Sequence, residues 1–245
     1  MRDWIRSYYF LLKWNVLAIK SDLPFIFIIQ CMLSMGVVIG FSFIIPEVTP
    51  DVALYLTTGS MAVSLITVGL VVAPGRLANL KQQGVLDYQR SLPVPRFALL
   101  ASDATIWILI SIPGFFMAFL VASYRFGLEV TMSPLLAPAM LLVIVGTVTI
   151  GYSIAYLLRP TLVNMVTNLI IIGALMFAPI NYPAERLPDW LAALHSFLPL
   201  QYMAQAIRET IDVPATGVSW LPFAVLLVWG MFGLLVASRV LTRRS

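Results

Sequence analysis

The chain holds one cysteine, one histidine and very little charge: 11% of its 245 residues are Asp, Glu, Lys or Arg. Each scarcity excludes something. A lone Cys31 rules out an intrachain disulfide or a metal site built from cysteines. The lone His195 is expected in the outer segment before the last span, so no serine within the spans has a histidine at its depth, which argues against intramembrane serine proteolysis. No group of His, Cys, Asp or Glu has metal-ligand spacing. No G-x-x-x-x-G-K-[ST] segment is present, so the chain does not cradle nucleotide phosphates in that way. No basic face with interleaved aromatics appears, which argues against a nucleic-acid partner. The basic N-terminal stretch lacks a small-x-small site after its first apolar run and does not read as a cleavable signal.

What is abundant is apolar surface. Hydrophobic residues make up 60% of the chain and the mean hydropathy is +0.95. A helix that crosses hydrocarbon needs about 20 mostly apolar residues. Six runs meet this without one Asp, Glu, Lys or Arg: residues 25–45, 52–74, 104–124, 135–158, 160–182 and 218–238. The expected fold is therefore an all-α membrane protein with six spans. Proton-driven carriers keep ionisable groups at membrane depth. None is expected here, although sodium can be held by carbonyls and hydroxyls alone. The nearest carboxylate, Asp103, is expected at the start of span 3, where a helix N-terminus stabilises it. Energy for uphill transport would then enter from a partner.

Lys and Arg set the orientation. With both termini cytoplasmic, the inside holds Arg2, Arg6, Lys13, Lys20, Arg76, Lys81, Arg90, Arg96, Arg159, Arg239, Arg243 and Arg244. The outside holds only Arg125, Arg186 and Arg208. Residues 1–23 read as an interfacial amphipathic helix: Arg2, Arg6, Lys13 and Lys20 form one stripe, opposite Trp4, Ile5, Tyr8, Leu11, Leu12 and Ile19. Residues 24–245 form the six-span domain, with Pro24 in the first turn of span 1. Span 2 is expected to stop at Pro74-Gly75. A polar segment follows, RLANLKQQGVLDYQRSLPVPR, with Gly84 as its weak point and Pro93 and Pro95 ending any helix. Pro113 is expected to kink span 3. The tight Arg159-Pro160 turn predicts that spans 4 and 5 are antiparallel neighbours, and Gly146 and Gly151 suit close helix approach. Before span 6, Asp189 is expected to cap a short helix ended by Pro199, with a second amphipathic helix after it; both would be re-entrant or interfacial on the outer side.

Two polar stripes lie within the spans. Thr57, Ser60, Ser64 and Thr67 recur on one face of span 2, and Thr161, Asn164 and Asn168 on one face of span 5. Both helix–helix hydrogen bonding and the lining of a translocation route account for them.

This arrangement resembles the permease subunits of ABC-2-type transporters. The resemblance rests on the basic N-terminal helix, six spans and two motifs. One is Lys81-Gln82-Gln83-Gly84-Val85-Leu86-Asp87 leading to Ser91-Leu92-Pro93-Val94-Pro95-Arg96; the other is Leu198-Pro199-Leu200-Gln201-Tyr202 with Ile207-Arg208. Gln82 and Gln83 stand where acidic and basic residues are common in that family. The resemblance implies that residues 76–91 couple to a separate ATPase subunit present in two copies, through Arg76, Lys81, Gly84, Leu86, Asp87 and Arg90. It implies a second permease chain, with spans 2 and 5 near the shared interface and the route. ATP and Mg would be bound by the ATPase, leaving this chain with no cofactor and no catalytic site. The expected role is export of a hydrophobic or amphipathic small molecule across a bacterial cytoplasmic membrane. A permease for lipid-linked polysaccharide and a membrane scaffold that transports nothing are the alternatives.

Overall fold

A computed structural model describes residues 2–45, 48–92, 94–128, 131–211 and 217–242. The described residues form eleven α-helices and no strand: α1 (Arg2–Ile19), α2 (Leu23–Ile44), α3 (Pro50–Thr67), α4 (Ala73–Gln82), α5 (Val85–Ser91), α6 (Arg96–Phe126), α7 (Leu136–Leu157), α8 (Pro160–Phe177), α9 (Asp189–Phe197), α10 (Pro199–Arg208) and α11 (Leu221–Thr242). A single antiparallel bridge joins Met132 to Ile211. Among the described residues, five stretches are long and apolar enough to cross a membrane: Leu23–Ile44, Pro50–Gln82, Ala101–Phe126, Leu136–Leu157 and Pro160–Phe177. The apolar part of α11, Leu221–Val236, is shorter among the described residues.

Span 2 does not stop at Pro74-Gly75. It continues as a 33-residue rod, Pro50–Gln82. At 1.5 Å per residue such a rod is about 50 Å long, against about 30 Å of hydrocarbon. Proline in a helix interior removes a donor and collides with the carbonyl four residues back. Here a π-turn over Val68–Val72 takes up the strain, with the Ala73 N–H donating to the Val68 carbonyl five residues earlier. Gly151 of α7 lies against this turn: its Cα faces the Gly69 carbonyl, and a side chain there would meet that oxygen and the Pro74 ring. Gly69 in turn accommodates Thr147.

The rod is the centre of the molecule. Most of α3 is fully buried, including Leu56, Met61, Leu65 and Ile66. It packs against α2 and α6 on one side, α7 along the π-turn and α10 at its first turns. α7 is backed mainly by α11, where Gly230 and Gly233 approach Gly146 and Thr149, and Ser153 donates to the Gly233 carbonyl at 3.2 Å. α8 rests chiefly on α4 and meets α7 far less. The turn at Arg159-Pro160 is tight, as expected, but it sends α8 toward the rod and not back along α7.

Pro24 and Pro160 sit in the first turn of a helix, where a missing N–H costs nothing, and so do Pro50, expected in the loop before span 2, and Pro199, expected only to end the helix before it. Pro113 lies inside an unbroken α6. Asp189 opens α9 from within its first turn, and its side chain does not cap it.

Candidate functional site

The polar segment after span 2 is two helices. α4 carries the rod out to Gln82; Gly84 then takes φ +71°, a left-handed conformation costly for residues with a Cβ, and α5 starts anew. Gln82, Gln83, Gly84 and Tyr88 are exposed, whereas Leu86 is buried in a cluster that includes Ile19, Leu77 and Ile106. Leu86 therefore anchors α5 and does not offer itself to a partner. The side chains of Asp87 and Arg90, and Pro93, lie outside the described residues. Lys81 Nζ donates to the Leu158 carbonyl at 3.4 Å, tying the end of α4 to the end of α7. Arg76 forms one long ion pair with Asp22, 3.4 Å, between the rod and the corner before α2. Trp14 of α1 stacks on Tyr88 of α5, with ring centroids 6.3 Å apart. The sequence pattern did not single out Tyr88; an aromatic two residues past a buried Leu is visible only once α5 is oriented.

α1 is more than a surface anchor. Leu11 and Ile19 are buried, Tyr8 OH and the Thr105 hydroxyl are hydrogen-bonded at 2.9 Å, and Asn15 Nδ2 donates to Asp103 at 2.7 Å. Trp4, Ile5, Phe10 and Leu17 remain exposed, as an interfacial helix requires. Asp103 is two turns inside α6, not at its N-terminus, so the helix end does not hold it. Its oxygens accept from Asn15 and from Tyr152 OH at 3.1 Å, while Trp107 Nε1 donates to the Tyr152 oxygen at 2.7 Å. This node joins α1, α6 and α7 beside the rod.

The two polar stripes do not face one another. Thr57, Ser60 and Ser64 are buried within the chain and Thr67 is half-buried. Thr57, Ser60 and Thr67 donate to carbonyls of their own helix, those of Ala53, Thr57 and Val63. Ser64 donates to Gln30 Oε1 at 2.8 Å, and Ser34 donates to the Gly114 carbonyl at 2.9 Å. Gln30 is a buried amide within span 1 whose Nε2 has no partner among the described residues. The sequence pattern did not single it out, although it is the one amide in the run 25–45. Gly114 leaves the space for Gln30 and Ser64 to meet. Thr161, Asn164 and Asn168, by contrast, are exposed on α8 beside Met165, Leu169, Ile172 and Met176. Asn168 Nδ2 donates to the Asn164 carbonyl at 2.7 Å, and the Asn164 amide oxygen lies over Gly75 of the rod.

At the opposite end, Arg208 of α10 lies on the Tyr55 ring, 3.6 Å from its centroid. Its Nε donates to the Thr58 hydroxyl at 3.1 Å and its Nη2 to the Ile180 carbonyl at 3.0 Å. Burial pulls the guanidinium down to about 10, opposed by Tyr55 and Glu209, so it stays charged at neutral pH. Asn181 is buried beside Gly59 with neither amide atom paired among the described residues. His195 is buried under α9, which lowers its pKa, while a backbone contact with Phe177 opposes that shift.

Long apolar helices around a buried rod, with a polar helix–turn–helix tip at one end, define a multi-pass membrane protein. More narrowly, the chain belongs to the ABC-2 type transporter family, whose pattern matches residues 6–211, from α1 to the end of the α10 region. That span contains both motifs noted in the sequence. No curated protein matches the chain.

Proposed function

We propose that this protein is the membrane-spanning permease of an ATP-driven exporter, powered by a separate ATPase subunit that docks on the tip formed by the end of α4 and by α5. Members of the family work with such subunits. The observation that carries the proposal is the rod itself. One continuous element runs from the buried Thr57–Thr67 region to the exposed Gln82–Gly84 turn, so a push on the tip is delivered to the core without a flexible joint. Lys81, the Trp14–Tyr88 stack and buried Leu86 brace the tip against α7, α1 and the core.

The tip end carries Arg6, Lys13, Lys20, Arg76, Lys81 and Arg159, and the far end Arg125, Arg186 and Arg208. By the positive-inside rule the tip is cytoplasmic. Two ATPase copies with their ATP and Mg, a second permease chain, a sixth span through α11 and a bacterial cytoplasmic membrane complete the proposal. The open α8 face, with Thr161, Asn164 and Asn168, supports α8 as the side that meets the second chain or the route; the α3 stripe supports helix packing. Small amphipathic cargo fits a surface of amides, hydroxyls and apolar side chains. The test is ATP hydrolysis by the co-purified complex. Gln82→Asp with Tyr88→Asp should abolish stimulation by the permease while membrane insertion persists; unchanged stimulation would refute the proposal.

A further inference from the structure

A cavity of about 640 Å³ opens beside the tip, within the size range of small-molecule sites. Its walls follow helical register. Along the rod, Val71 and Val72 are followed one turn later by Gly75 and Arg76, then by Asn79 and Leu80, then by Gln83. At 1.5 Å per residue this wall is about 18 Å long, apolar at its core end and polar at its tip end. The opposite wall runs through Trp14, Ala18, Asp22 and Ile26, again in steps of four, and Asn164 of α8 closes one side. The slot thus grades from aliphatic to amide, with one cation at the change.

That cation is poorly matched. Arg76 has its side chain 21% exposed, whereas its partner Asp22 is 58% exposed, and they share one contact of 3.4 Å. A guanidinium has five N–H donors in a planar fork that suits a carboxylate or phosphate two-pronged. The other nearby carboxylate, Asp103, attracts Arg76 electrostatically but takes its hydrogen bonds from Asn15 and Tyr152. Arg76 lines a cavity with an apolar inner end, and among the described residues its one hydrogen bond is the 3.4 Å contact with Asp22, which leaves donors unused.

We infer that this cavity binds an anionic amphiphile, with its carboxylate or phosphate on Arg76 in place of Asp22 and its tail against Val71, Val72 and Ile26. As a binding site it stands on the geometry alone; as a loading site for cargo it rests on the export function proposed above. The occupant would lie against the same helix that carries the tip, two turns from Gly84. Gly75 matters because any side chain there would reach the Asn164 amide, 2.7 Å from its first carbon, and narrow the slot.

The test uses the full-length chain in phosphatidylcholine nanodiscs and palmitate bearing a diazirine in its tail, with adducts mapped by mass spectrometry. Adducts are expected on Ile26, Val71 or Val72 and are expected to be displaced by laurate but not by dodecyltrimethylammonium. Arg76→Gln should cut their yield about tenfold, the scale of one charge-assisted hydrogen bond, and Arg76→Lys should restore most of it. Gly75→Leu should block labelling with Arg76 intact, which separates a filled slot from a lost charge. Unchanged labelling in Arg76→Gln, stronger displacement by the cationic amphiphile, or adducts confined to exposed residues such as Phe27 and Met32 would overturn the inference. Phosphatidylglycerol in the discs distinguishes the occupant: competition identifies a bilayer lipid, and its absence a free amphiphile, the anionic site standing in both cases. No ATPase enters this measurement, so its failure would leave the docking of the tip to be judged separately.

Discussion

Two glycines five residues apart on α7 should respond oppositely to the same substitution. At Gly151 a methyl group would press on the Gly69 carbonyl and lie 3.2 Å from two carbons of the Pro74 ring. At Gly146 nothing lies within 4 Å of the added carbon. Both gain the helix propensity of alanine, about 0.5–1 kcal/mol. Only Gly151→Ala adds an overpacking cost, typically about 1–3 kcal/mol, and here backbone is struck, so relief by a rotamer change is closed. The difference between the two variants should therefore be about 1–3 kcal/mol. For a chain of this size that is roughly 2–12 °C in apparent melting temperature. The assay is thermal unfolding of both variants in one detergent at one scan rate. Because the struck carbonyl belongs to the π-turn, Gly151→Ala should also weaken stimulation of the ATPase, while Gly146→Ala should not. Equal melting temperatures would mean that α7 does not seat against the π-turn, and the account of the uninterrupted rod would fail with it.

Other outcomes follow from single contacts. Gln30→Leu removes a buried amide with an unpaired Nε2 and one interhelical bond worth about 0.6 kcal/mol; stability should change by less than about 1 kcal/mol, and a larger loss in chemical unfolding would show that the node does more than pack. Gly84→Ala forces a Cβ into a left-handed conformation at a cost of about 1–2 kcal/mol, so proteolysis near the α4–α5 junction should accelerate. The pKa of His195 is lowered by burial from 6.5. The unfolded chain then binds the proton more readily, so the stability contribution is complete above pH 6.5 and is lost as pH falls through and below it. His195→Phe should flatten that slope in melting temperatures measured from pH 7.5 to 5.5, and an unchanged slope would exclude His195 as its source.

Much of this architecture was legible in the residues, and the exceptions have physical causes. Prolines in first turns, the break at Gly84 and the paired helices around Pro199 follow from local rules that tertiary packing did not contradict. Pro74 obeyed a different outcome because a π-turn ending two residues earlier, packed on Gly151, absorbed the clash; no local rule contains α7. The span-2 stripe was visible as a stripe, but its direction depended on Gln30 and Gly114 from other helices. Leu86 and Asp103 were read from neighbours in sequence, whereas their settings are made by α1, α6 and α7. Tyr88 and Trp14 were missed for the same reason.

The central claim is that the tip at the end of α4 and in α5 receives the ATPase. Site-directed cross-linking of the intact complex tests it most directly, with cysteines at Gln82 and Tyr88, and at Trp190, exposed on the far end, as the comparison. Cross-links to the ATPase from Gln82 and Tyr88, and none from Trp190, are predicted. Cross-links from Trp190 with none from the tip would contradict both the docking site and the orientation of the chain.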